Sequence, residues 1–327
     1  MTPEDDREPP PVRVLAPNPG HMARARRELR ENLKLVDVVL ELLDARAPLA
    51  SRNPALSRAA GEKPRVIVLN KADLADPDAT ARWVAFFRRS GAEAVALEAQ
   101  SGRGLEQMEA AVGRVAKKEV ARVMLVGIPN VGKSSLLNRL AGRSRARVGA
   151  LPGVTRGKQW VKTKAGHLLM DLPGIFPPSF AGENEQWALA VTGALPDITY
   201  DHQAAATRLT ELLRHGRYAT IYSERFGLAP EDTTVEPLAA LARQRGYMGA
   251  GGRPDVARAA DALLKDFRLG LLGRVTLEQP ATAKTAPRTV PVETTPVKTA
   301  PTETVAPTAA DPKTASTGRK PETPSEA

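Results

Sequence analysis

The chain has 327 residues, a formal charge of +10 and no cysteine, which excludes disulfide frameworks and thiolate metal sites and suits a reducing compartment. Its acidic, proline-rich start "MTPEDDREPPP" lacks the basic and apolar regions of a secretory signal, and no uncharged apolar run approaches the roughly 20 residues of a membrane helix. A soluble, cytoplasmic protein with no membrane partner is expected. Residues 1–12 carry one arginine against four acids and the stretch past 279 is nearly charge-balanced. The positive excess therefore belongs to the body between, which suits a polyanion, nucleic acid first.

In chain order, residues 1–14 read as a disordered acidic tail. Apolar runs then follow at 36–45 ("VDVVLELLDA"), 64–70 ("PRVIVLN"), 92–99 ("AEAVALEA") and 121–127 ("ARVMLVG"). Such runs suit parallel strands buried on both faces. Helical stretches including "DATARWVAFFRRSG" and "GLEQMEAAVGRVAKK" lie between them. The repetition implies an α/β fold with a doubly wound, mostly parallel sheet. Two more strands are expected at 157–163 and 167–171. From 183 to 278 only helical spacing remains, so a small all-α domain is expected there. The stretch 279–327 is rich in Thr, Ala and Pro with few large apolar residues, and it is read as disordered.

The strongest motif runs from Gly127 through Ile128, Pro129, Asn130, Val131, Gly132 and Lys133 to Ser134, a complete G-x-x-x-x-G-K-S between a strand and the helix "SSLLNRLAG". Such a loop wraps phosphates with its N–H groups, and the helix start adds partial positive charge. Lys133 is expected to neutralise the β- and γ-phosphates, with the Ser134 hydroxyl on Mg²⁺. Asn130 through Ser135 form the expected phosphate-contacting run.

Asp171-Leu-Pro-Gly174 resembles the D-x-x-G element of GTPases, with Asp171 holding Mg²⁺ through water and Gly174 sensing the γ-phosphate. Asn70-Lys71-Ala72-Asp73 follows a strand and matches N-K-x-D. The Asp73 carboxylate can accept both guanine N1–H and the exocyclic amine, a pair adenine does not offer, so GTP is expected over ATP. The loop 97–108 resembles the S-A-K element that supports the base through a backbone N–H, with Glu98, Ala99 and Gln100 in its place. Thr155 supplies the switch threonine on Mg²⁺. Between 139 and 170 there are many Arg and Lys and no acid, a surface suited to phosphate contacts.

The base motifs thus precede the phosphate loop, and the order resembles that of a circularly permuted P-loop GTPase. Moving the chain ends leaves such a site intact in space, and D-x-x-G then leads into the helical segment. Three further stretches narrow the resemblance to the YlqF/RbgA family of ribosome biogenesis GTPases. They are "NPGHMARARREL" (18–29), "DARAPLASRNP" (44–54) and "GYMGAGGRPDVARAADALLKDFRLGLLGRVTLE" (246–278). The likeness covers roughly residues 15–278, with a GTPase domain at 15–182 and an RNA-binding helical domain at 183–278.

The resemblance implies a GTPase, GTP/GDP with Mg²⁺ as its ligands, and late maturation of the large (50S) ribosomal subunit. It implies binding to rRNA in the GTP state, stimulation by the subunit, and a monomer off the ribosome. It also points to His21 as the residue that orients water, since Ile175 occupies the position after D-x-x-G. Asn130 is the residue through which related GTPases hold K⁺. Two alternatives stay open: an RNA-binding assembly scaffold with structural nucleotide, or another RNA-linked GTPase such as one acting in tRNA modification.

Overall fold

The structure, a computed structural model, describes residues 27–141, 147–148, 160–171 and 182–280, all within the compact unit that runs to Ala281. Helix α1 covers 27–33. It is followed by β1 (Val38–Asp44), α2 (Pro54–Ala60), β2 (Arg65–Asn70), α3 (Pro77–Arg89), β3 (Glu93–Ala96), α4 (Leu105–Ala116), β4 (Arg122–Val126) and α5 (Lys133–Ala141). Strands β5 (Arg147–Val148), β6 (Trp160–Lys162) and β7 (Leu168–Asp171) complete a seven-stranded sheet of order β3-β2-β1-β4-β7-β6-β5. The first five strands in that order are parallel, and β6 pairs antiparallel with both β7 and β5.

All seven residues of β1 are buried, which explains why its sequence is a continuous apolar run and not an alternation. Its residues still divide by face. Val38, Leu40 and Leu42 pack with Met108 and Leu136 of the helices on one side. On the other, Val39 meets Leu29 and Leu33 of α1, and Leu43 meets Trp83 and Phe87 of α3. One charge interrupts the strand. Glu41 is buried beside Arg52 at 3.5 Å and Arg65 at 3.8 Å, and burial raises its carboxyl above the usual range.

The chain winds outward from β1 to β2 and β3, then returns to β4 on the other side of β1. The C-terminal ends of β1 and β4 therefore flank a topological switch point, where open α/β sheets hold their ligands.

Five helices follow: α6 (Glu183–Thr192), α7 (His202–Arg214), α8 (Ala219–Phe226), α9 (Pro237–Gln244) and α10 (Val256–Leu269). Asp201 caps α7 by accepting the N–H groups of Gln203 and Ala204, and Gly270 ends α10 in the left-handed region. Leu209, Leu213, Tyr222, Phe226, Leu241, Leu263 and Phe267 are buried between these helices, and their cluster is continuous with the sheet face that holds Leu40 and Leu42.

Some elements differ from expectation. The strand expected at 92–99 ends at Ala96, where Glu98 and Arg103 close a turn. The strand expected at 157–163 is described as Trp160–Lys162. The strand β5 and the helices α2 and α8 carry too weak a local pattern to announce themselves. In α8, "ATIYSERF", only Tyr222 and Phe226 are buried, so packing and not propensity makes it a helix. The segment expected to be disordered from 279 begins tied down, since Arg82 donates to the Gln279 side chain at 2.9 Å. The remaining tail expectations, 1–14 and 281–327, lie outside the described residues.

Candidate functional site

The phosphate loop leaves β4 at Val126 and enters α5 at Lys133. Its shape depends on two glycines. Gly127 has φ 158°, and a Cβ on it would stand 2.6 Å from the carbonyl oxygen of Leu42. Gly132 has φ 99°, and a Cβ there would stand 2.3 Å from the side-chain nitrogen of Asn70. A left-handed φ at Asn130 (62°) continues the wrap, which asparagine tolerates well. The buried Lys133 ammonium donates to the carbonyls of Gly127 (3.2 Å) and Ile128 (2.9 Å), so it is folded over the loop. Ser134 and Ser135 are exposed in the first turn of α5, where N–H groups and the helix dipole favour an anion.

Asn70 joins three motifs. At the buried end of β2 it donates Nδ2 to the Val131 carbonyl at 2.8 Å, and its Oδ1 accepts the Ala99 N–H at 3.0 Å. One amide therefore fixes the base-reading loop against both the phosphate loop and the 97–108 loop. Because the Ala99 N–H is committed to Asn70, it is not the donor that would meet a base. Among the described residues the N–H of Gln100 has no such backbone partner, so Gln100 is the better candidate. The sequence resemblance left the donor open among Glu98, Ala99 and Gln100, because a three-residue match does not say which amide the asparagine takes. The Glu98 carboxylate is held by Ser101 Oγ at 2.8 Å and Arg103 at 3.0 Å.

Lys71 is also left-handed, with φ 61°. Its ammonium donates to the Asn130 carbonyl at 2.7 Å and pairs with Asp44 at 2.9 Å. Ala72 is tied by its N–H to the Leu97 carbonyl at 3.1 Å. Asp73 is half-buried, and its carboxylate makes no hydrogen bond among the described residues.

Asp44 and Arg46, the first and third residues of D-A-R-x-P, form a buried pair that sequence reasoning gave no role. Arg46 Nε and Nη2 reach the two carboxylate oxygens at 2.9 and 2.8 Å. Arg46 and Lys71 together hold the Asp44 carboxyl well below the usual carboxylate range despite burial. Arg46 also donates to the carbonyls of Phe267 in α10 (3.3 Å) and Thr192 in α6 (3.4 Å), and lies over the Phe267 ring. Asn130 reaches the same region through Nδ2, 2.9 Å from the Gly193 carbonyl. Arg46 and Asn130 thus both join the loops at the sheet end to the helical segment.

His21, Thr155 and Gly174 lie outside the described residues, as do Arg143, Arg145, Arg156 and Lys158. Asp171 is described by its backbone, which pairs with Leu125 of β4. That register brings the end of β7 beside the strand that feeds the phosphate loop. A serine hydroxyl at the helix start and a carboxylate at the neighbouring strand end are hard oxygen donors that fit Mg²⁺. Among the described residues no cluster of three or more His, Asp or Glu could hold a metal without a nucleotide's help.

The fold and the loops at its switch point define a circularly permuted P-loop GTPase. Residues 122–208 match the family described as 50S ribosome-binding GTPase. The chain is 40% identical over 276 residues to ribosome biogenesis GTPase A of Bacillus cereus, covering 80% of this chain and 93% of that protein. It belongs to the ribosome biogenesis GTPase A family, also called YlqF/RbgA. The protein of that name from Thermotoga maritima is 34% identical over 262 residues, covering 80% of this chain and 93% of that protein. Solved structures of T. maritima YlqF are also similar. The GDP-bound form gives a TM-score of 0.58 at 29% identity over 77% of this chain and 99% of that one. The GNP-bound form gives 0.57 at 30% identity, over 79% of this chain and 98% of that one.

Proposed function

We propose that this protein hydrolyses GTP to GDP and phosphate as an assembly factor for late maturation of the large ribosomal subunit. The observation that carries the site reading is Asn70, which holds the base-reading loop, the phosphate loop and the base-supporting loop in one arrangement. The partner is inferred from the relatives named ribosome biogenesis GTPase A and from the basic body of the chain.

In this reading Asp73 selects guanine, with Gln100 as a backbone donor to the base. The N–H groups of the phosphate loop cradle the phosphates, and Lys133 swings from the loop's carbonyls onto the β- and γ-phosphate oxygens. Ser134, Thr155 and Asp171 would hold Mg²⁺, which would offset charge developing on the phosphates. Water attacks the γ-phosphorus, the bond to the β–γ bridging oxygen breaks, and GDP leaves with that electron pair. His21 orients the water, and Gly174 senses the γ-phosphate. The Asn130 amide oxygen is the atom that would take K⁺, since its nitrogen already serves Gly193.

The helical domain, 183–278, docks on rRNA in the GTP state, and loss of the γ-phosphate releases it. The protein acts as a cytoplasmic monomer between rounds. Sedimentation with isolated large subunits tests this: retention with a non-hydrolysable GTP analogue and loss with GDP is the expected pattern. Equal retention in both states would favour the scaffold reading.

A further inference from the structure

The last described residues, Arg274 to Gln279, do not extend the helical segment. They run across the loops at the ends of β1 and β2. Val275 donates its N–H to the carbonyl of Leu74 at 3.1 Å. The Thr276 hydroxyl, fully buried, accepts the N–H of Asp76 at 3.0 Å. Leu277 donates to the Arg46 carbonyl at 2.7 Å, and the Glu278 carboxylate accepts the N–H groups of Leu49 (2.7 Å) and Ala50 (3.0 Å). The Trp83 indole anchors the Glu278 carbonyl at 3.1 Å.

These bonds fall directly behind Asp73. Leu74, the next residue, is gripped twice: its carbonyl takes Val275, and its side chain lies against Gly270, where an added Cβ would stand 2.6 Å from Leu74 Cδ2. Two residues further on, Asp76 caps α3 through the N–H groups of Asp78 and Ala79. Its other oxygen takes Arg217 at 2.6 Å. The Tyr218 hydroxyl ties the same corner by accepting the Thr276 N–H at 3.0 Å. Ahead of Asp73 the loop is fixed by Asn70 and Lys71; behind it, the fixing groups come from the far end of the chain.

We infer that the strap Arg274–Glu278 positions Asp73 for guanine, with Thr276 as the positioning residue, so that the grip on the base depends on the docked helical segment. The inference rests on the reading of Asp73 as the guanine acceptor. A carboxylate must be held to within a fraction of an ångström to take two donors at once. By linkage, a partner that pulls the helical segment away weakens the base contact, and nucleotide binding tightens the strap to the same degree.

The test compares Thr276→Val and Thr276→Ser in the full-length protein, titrated with fluorescent GDP and with the inosine analogue that lacks the exocyclic amine. Thr276→Val keeps the shape and leaves the Asp76 N–H without its acceptor. It is expected to weaken GDP binding about tenfold and to shrink the preference for GDP over the inosine nucleotide, while melting as a folded protein. Thr276→Ser, which restores the hydroxyl, is expected to recover both. Wild-type affinity and preference in a folded Thr276→Val protein would overturn the inference, as would equal loss for both nucleotides with the preference unchanged. Asp73→Asn separates the two levels: undiminished GDP affinity there would remove the base-reading role itself, whatever the strap does.

Discussion

The side-chain amide of Asn130, inside the phosphate loop, donates to the backbone carbonyl of Gly193 at the end of α6, 2.9 Å away. A residue expected to serve an ion beside the phosphates is therefore also a link to the helical segment. The two roles use different atoms, and Asn130→Asp separates them. Aspartate tolerates the left-handed backbone and keeps an oxygen for K⁺ but loses the donor to Gly193. The expected result is a loss of roughly 1 kcal/mol in unfolding free energy with faster turnover in KCl than NaCl retained. Denaturant titration and phosphate release in the two salts check the two halves.

Gly132→Ala tests whether the loop geometry is required. The new Cβ would fall 2.3 Å from Asn70 Nδ2 at a φ of 99°, so either the loop or the Asn70 bridge must move. Nucleotide affinity is expected to fall on the order of 100-fold, about 2.7 kcal/mol, as read by fluorescent GDP titration.

Much of this site was legible beforehand, because its residues lie in contiguous motifs at strand ends. β2 and β4 were visible as uninterrupted apolar runs, and β1 as one broken by Glu41, since both faces are covered. What stayed hidden is non-local. No spacing rule joins Asn130 to Gly193, Arg46 to Phe267, or Thr276 to Asp76, because each pair is brought together only by packing of the helical segment. That Asn70 takes the Ala99 N–H was hidden for another reason: backbone hydrogen bonding leaves no trace in residue identity. Short elements such as β5 and α8 were missed because tertiary contacts outweigh weak local preference.

Arg46→Met should expose the cost of the buried pair. It leaves Asp44 with Lys71 alone, and a loss of about 3–5 kcal/mol is expected. The pH dependence gives a second check. A carboxyl depressed by folding contributes stability that is full above its unfolded pKa, about 4, and is lost as pH falls through the lower folded value. The wild-type protein should therefore lose stability below about pH 4 more steeply than Arg46→Met, as followed by urea unfolding across that range.

Glu278 carries the opposite sign. Burial, with Glu185 and Asp44 nearby, pushes its carboxyl up to about 7 against the pull of the Leu49 and Ala50 N–H groups. A carboxyl raised by folding binds its proton more tightly in the folded chain. Its contribution is full below the unfolded value, about 4.3, and is lost as pH rises through about 7. Glu278→Gln, which cannot ionise, should flatten the decline in melting temperature as pH rises from about 4.3 to about 7. An unchanged slope would assign the titration to another group.

In the proposed function, the large ribosomal subunit sets the rate of GTP hydrolysis. The most direct measurement is GTP turnover by the purified full-length protein in K⁺ buffer, alone, with isolated large subunits, and with isolated small subunits. Strong stimulation by the large subunit and none by the small one is the predicted result. Turnover that neither particle changes would contradict it.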